Sequence, residues 1–171
     1  GRKISISEYG NIREIGSGYL LLNAVYDGPD SKGNVYYRYK FSVDGNRFVY
    51  DMLGWEWIWG IGVYDFTTGE ARDVPDTYNY APMGYHDGKI YSYCSHYDDT
   101  DNIIYVTDIN TLETKPLFEL DEHDMVYDYE MTSDGRFFLN TEYSPKDHTF
   151  TVILRSTDTF EVVKEYVFEY I

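Results

Sequence analysis

The chain has 171 residues, 43% of them hydrophobic, which is enough for one globular core, and its 30 acidic against 14 basic side chains give a formal charge of −16. A field of that sign repels phosphate backbones and anionic lipid surfaces, and no basic patch interrupts it, so nucleic acid and membrane surfaces are poor partners. Apolar runs are only a few residues long, so neither a membrane span nor a signal peptide is legible, while 20 Tyr, 9 Phe and 3 Trp favour pleated strands over helices.

The first residue is Gly1, not Met, from which we expect processing or trimming and an exported protein, periplasmic or at the cell surface. Residues 4–15 align with residues 63–74, Gly10 falling on Gly69 and Arg13 on Arg72, and so resemble the closing strands of a repeat unit. A further strand is expected over 19–26, followed by a polar turn over 27–34.

The first complete unit reads as strands over 35–41, 47–52, 58–65 and 70–74, with Asp44-Gly45 between the first two. Asp-Gly between alternating runs predicts a two-residue type I′ hairpin, in which both central residues need positive φ. The second unit has Asp87-Gly88, then strands over 89–97, 103–108 and 113–118. The third has strands over 125–131, 136–143, 149–154 and 161–166, with Asp134-Gly135 between the first two. Placing Val63 on Val106 sets Asp65 on Asp108, Thr68 on Thr111 and Glu70 on Glu113 without a gap, and Thr159 and Glu161 continue the series. The aspartates at these turns can accept from the backbone two residues on, pinning the loop between third and fourth strands.

A period in the forties built from strands marks propeller blades. The expected fold is all-β and propeller-like: a single domain of three full four-stranded antiparallel blades over 34–76, 77–121 and 122–171, after a partial blade over 1–33. Residues 41–50 (FSVDGNRFVY) and 131–138 (MTSDGRFF) resemble the F-S-P-D-G-K-x-I-A-F unit of TolB-like propeller repeats, also called WD40-like Asp-Gly repeats. Residues 105–111 (YVTDINT) resemble the strand that follows it. Val43, His86 and Ser133 depart from the proline usual in that family, and the Gly-His and Trp-Asp signatures of true WD40 repeats are absent. The resemblance implies a fold more than a function. Propellers close with about four to eight blades, so three units and a part leave open flanks; a four-bladed closure, a pair of chains joined through open blade edges, or a fragment of a longer propeller would each cover them.

Trp55, Trp57 and Trp59 alternate with Glu56 and Ile58, so on a strand the three indoles share one side. Such a row is either a platform for a sugar or a peptide or the filling between two blades, and the neighbouring Gly54, Gly60 and Gly62 permit close backbone approach. The acidic clusters at 98–102 and 121–124 lack the spacing of a calcium loop and read as solvated charge. His86, His96, His123 and His148 stand singly, which gives zinc no case, and Gly16-Ser17-Gly18 is not a nucleophile elbow. The single cysteine, Cys94, reads as a small buried thiol. No catalytic set, metal or cofactor is expected.

Two functions follow. The first is a non-catalytic module that binds a protein or glycan through blade-connecting loops. The alternative is part of a carbohydrate-active, glycosidase-like propeller enzyme completed by further blades or a second subunit, with Asp51, Glu56 and Glu142 as strand-borne carboxylates for its pocket.

Overall fold

A computed structural model of the protein describes residues 4–6, 12–14, 20–22, 36–53, 58–94, 102–119, 126–144 and 146–169. Among these every regular element is a strand. Three short ones, β1 (Ile4–Ile6), β2 (Ile12–Glu14) and β3 (Leu20–Leu22), form an antiparallel sheet in chain order, so the two closing strands expected at the N-terminus pair with the strand after them.

Three four-stranded antiparallel meanders follow. The first comprises β4 (Tyr36–Ser42), β5 (Arg47–Leu53), β6 (Ile58–Asp65) and β7 (Glu70–Asp73). The second comprises β8 (Tyr80–His86), β9 (Lys89–Cys94), β10 (Ile103–Asp108) and β11 (Thr114–Glu119). The third comprises β12 (Val126–Met131), β13 (Phe137–Ser144), β14 (Thr149–Ser156) and β15 (Val162–Glu169). Short connections and period-two side chains leave each sheet with two faces to cover, and the sheets meet these needs by stacking. β8 lies against β4, β5 and β6, and β12 lies against β8.

Two apolar cores fill the gaps. Between the first and second meanders, Val49, Ile61, Val63 and Val74 meet Ile90, Ile109 and Leu112. Between the second and third, Met83, Tyr91 and Ile104 meet Tyr129 and Phe138, with Phe118 and Phe160 packed at the side. The other face of the first meander is also covered: Phe48, Tyr50 and Tyr64 are at most 2% exposed, and the Phe48 and Tyr64 rings stack at 5.2 Å. Arg47 adds a polar tie across the first gap, donating from Nη1 to Asn110 Oδ1 at 3.1 Å.

The turns between third and fourth strands are equivalent in detail. Asp65 Oδ1 accepts from the Thr67 amide at 2.7 Å, Asp108 Oδ1 from the Asn110 and Thr111 amides, and Ser156 Oγ from the Asp158 and Thr159 amides. Three residues later the hydroxyls of Thr68, Thr111 and Thr159 each accept the amide two positions on. Each turn closes on a left-handed residue, Gly69 (φ 76°), Leu112 (φ 61°) and Phe160 (φ 60°). The two bulky members pay for this conformation by inserting their side chains back into the gap with the preceding sheet.

The Asp-Gly hairpins are less uniform than the sequence pattern implies. Only Asp87-Gly88 has two positive φ angles (45° and 76°) between strands ending at His86 and starting at Lys89, as a type I′ turn requires. At Asp44-Gly45 and Asp134-Gly135 only the glycine is left-handed, and the loops are longer. There the carboxylate closes the loop instead: Asp44 Oδ1 accepts from the Asn46 and Arg47 amides, and Asp134 Oδ1 from the Arg136 amide. Cys94 ends β9 half-buried, not in a core.

Candidate functional site

Trp55 and Trp57, with Gly54 and Glu56, lie outside the described residues, and β6 follows them in the chain. Trp59 is the second residue of β6, whose start pairs Ile58 with Leu53 across a register shift. Next to it Gly60 adopts φ 143°, and a Cβ there would sit 3.2 Å from Thr77 Oγ1 and from the Met52 methyl. A Cβ on Gly62 would enter the Tyr50 ring at 2.1 Å. The close approaches these two glycines allow are therefore made by the protein's own side chains.

Thr77 fixes the neighbouring connection between β7 and β8. Its hydroxyl accepts from the Ile61 amide at 3.1 Å and donates to the Val74 carbonyl at 2.8 Å, while its carbonyl accepts from the Tyr80 amide at 3.0 Å. Asp76 and Asn79, both left-handed (φ 57° and 67°), turn the chain on either side. The result is a loop bound to β6 by a threonine that is itself 2% exposed, and at its apex Tyr78 stands 59% exposed. An aromatic ring held out on a pinned loop, beside the strand that carries Trp59, is a surface suited to stacking on an apolar or sugar face. Tyr78 was not among the residues singled out by sequence; the local signal for it is an aromatic between two residues, Asp76 and Asn79, of types that tolerate φ > 0.

The strand-borne carboxylates are engaged within the fold. Asp51 is fully buried, with Lys40 Nζ 3.6 Å from its Oδ2. Glu142 Oε1 accepts from Asn140 Nδ2 at 2.7 Å, and Asn140 Oδ1 in turn accepts from Arg155 Nε at 3.4 Å. Arg155, 7% exposed, also donates to the Phe160 carbonyl at 3.2 Å, so this polar chain ties β13 and β14 to the turn that plugs the second gap. The link that joins the two strands, Arg155 to Asn140, spans 15 residues across a hairpin and has no local cue in the sequence.

The perturbed carboxylates mark turns. Hydrogen bonds from the Thr132 hydroxyl and then the Arg136 side chain hold Asp134 down to about 2. The Arg47 side chain, with Nε 2.8 Å from Oδ2, lowers Asp44, and the Thr67 hydroxyl and amide lower Asp65. Of the histidines, His86 packs its ring against Gly135, His148 is exposed in a turn, and His96 and His123 lie outside the described residues. The acidic cluster at 121–124 does too, as does that at 98–102 except for Asn102. Among the described residues no three His, Cys, Asp or Glu side chains gather as a metal site, and no helix is long and apolar enough to cross a membrane.

Neither a family model nor a curated protein matches the chain. Solved structures do. An oligogalacturonate lyase in complex with manganese superposes with a TM-score of 0.64 at 12% identity, over 96% of this chain and 50% of its own. The dihydro-heme d1 dehydrogenase NirN gives 0.55 at 18% identity, over 98% of this chain and 38% of its own. The β-propeller domain of the Trilobed protease from Pyrococcus furiosus, described as having an open velcro topology, gives 0.50 at 16% identity, over 78% and 43%. This chain thus spans half or less of the length of each. At these identities the likeness concerns the fold alone, and with the stacked meanders it establishes an all-β chain of β-propeller type.

Proposed function

We propose that the protein is a non-catalytic, exported module of the TolB-like or WD40-like Asp-Gly repeat kind, which binds a protein or glycan through loops that join its blades. In this reading the three meanders are complete blades within units 34–76, 77–121 and 122–171, and β1–β3 belong to a partial blade in unit 1–33. The observation that carries the binding role is Tyr78, exposed on a loop that Thr77 locks to β6, the strand that carries Trp59 and that Trp55 and Trp57 precede in sequence. The exposed Tyr78 ring gives a partner a stacking face, and a rigid mount spares the ordering cost that a free loop would incur on binding. The engagement of Asp51 with Lys40 and of Glu142 with Asn140 favours this reading over a glycosidase-like pocket built on those carboxylates.

The test is a glycan and peptide array probed with the labelled chain, followed by titration of the best ligand against Tyr78→Ala and Trp57→Ala. Loss of one stacked aromatic is worth about 1–2 kcal/mol, or roughly a ten-fold rise in Kd, with the denaturation midpoint unchanged for Tyr78→Ala. Binding that ignores both substitutions sinks the site. Turnover of any glycoside by the chain would favour the enzyme reading.

A further inference from the structure

The register of the three meanders singles out one face that the other two have used. The cross-strand pair two positions before each third-strand turn is Val49–Val63 in the first sheet, Tyr91–Val106 in the second and Leu139–Leu154 in the third. The first pair packs onto the second sheet, and the second pair onto the third. The third pair lies on the side opposite Phe138 and Arg155, which turn inward, and belongs to neither core. Around it on that outer face stand Val152, Tyr143 and Phe150, all half-buried, with Tyr166 and Phe168 45% and 55% exposed. A contiguous apolar face of this kind marks an interaction surface.

Its charges identify the occupant. One register row crosses the whole sheet as Glu130 (β12), Leu139 (β13), Leu154 (β14) and Lys164 (β15), so the acid and the base sit on opposite outer strands with leucines between them. Turned over about an axis parallel to the strands and midway between β13 and β14, the same row lays Glu130 over Lys164, Leu139 over Leu154, and the converse pairs likewise. A chain of net charge −16 repels its own kind over most of its surface, and this row supplies local attraction where two copies can meet. We propose that the outer face of β12–β15 is closed by the same face of a second copy, in a two-fold dimer of stacked sheets.

The size suffices. Three strands of 8 residues beside β12 of 6 give a face up to about 27 by 19 Å, or about 490 Å² per copy in projection, and two such faces come to the roughly 1,000 Å² that a specific interface needs. Aligned sheets stack about 10 Å apart, a gap that extended Glu and Lys side chains bridge together. Closed two-fold pairing also buries the face finitely, whereas a head-to-tail contact would propagate.

Sedimentation or light scattering on the full chain should give about twice its 20.1 kDa at tens of micromolar. Lys164→Glu sets acid against acid and should raise the dimer Kd at least ten-fold, as should Leu154→Glu at the centre. Glu130→Lys combined with Lys164→Glu should recover dimerisation to within a few-fold, and both lysine variants keep the circular dichroism of the native chain because Glu130 and Lys164 are exposed. A monomer at about 100 micromolar, a dimer indifferent to these substitutions, or a double reversal that fails to recover would each overturn the proposal.

Discussion

The left-handed plug at Phe160 allows a comparison whose sign is unusual. Phe160 adopts φ 60°, its amide donates to the Ser156 carbonyl at 2.9 Å, and its ring stacks on Phe118 with centroids 4.5 Å apart and planes 10° apart. Both Phe160→Ala and Phe160→Gly remove the ring, which at half burial and with one stacked and one tilted partner is worth about 2–3 kcal/mol. Alanine retains a Cβ in the left-handed region and keeps a strain of about 1 kcal/mol; glycine releases it. We therefore expect destabilisation of about 2–3 kcal/mol for Phe160→Ala and about 1–2 kcal/mol for Phe160→Gly. At ordinary strand or helix positions the order is reversed, because glycine loses more backbone entropy. Urea denaturation followed by far-ultraviolet circular dichroism resolves a difference of this size. Equal midpoints, or alanine above glycine, would show that the turn does not hold residue 160 left-handed and would remove the structural equivalence of Gly69, Leu112 and Phe160.

Two further outcomes follow from packing and charge. Gly84→Ala would place a Cβ 2.3 Å from the Met131 Cβ, an atom too close to the backbone to swing aside, so the second and third sheets must separate; we expect a loss of about 1–3 kcal/mol, read as a lowered urea midpoint. The turn at Asp134 should appear in acid. Its carboxyl titrates at about 2 in the folded chain against 3.8 otherwise, so the stability it contributes is present above about pH 4 and is lost as pH falls towards 2. Asp134→Asn should flatten the fall of the melting midpoint across that window, and an unchanged slope would contradict the hydrogen bonds from Thr132 and Arg136.

How much of this was legible depends on whether the cue was local. The third-to-fourth strand turns were, because Asp65 and Asp108 bond amides two residues on, a contact the chain makes with itself over one loop. The Asp-Gly hairpins were legible as hairpins but not as one type. Dipeptide identity specifies what φ is tolerated, whereas loop length is set by where the flanking strands stop pairing, and at Asp44 and Asp134 an arginine close by gives the carboxylate a reason to close a longer loop. β8 had no strand signature of its own, since Ala81-Pro82-Met83-Gly84 lacks alternation. Proline is accepted there because β8 is the edge of its sheet, and a register shift between Pro82 and Gly84 absorbs it.

The parts that sequence did not yield share a different property: they depend on which face a residue takes relative to a distant segment. Thr77 gives Tyr78 its mount by reaching Ile61, 16 residues back, and nothing in the composition of the loop announces that bond. Net charge misleads in the same way. A sum of −16 predicts mutual repulsion, yet it is blind to parity along a strand: on β15 Lys164 pairs with Leu154 while Glu165 pairs with Ile153, so adjacent opposite charges fall on opposite faces. The outer face receives the base and the inner side the acid. In the proposed dimer the side chains that alternate outward set the local sign, and the row from Glu130 to Lys164 is ordered so that turning the sheet onto itself lays acid over base.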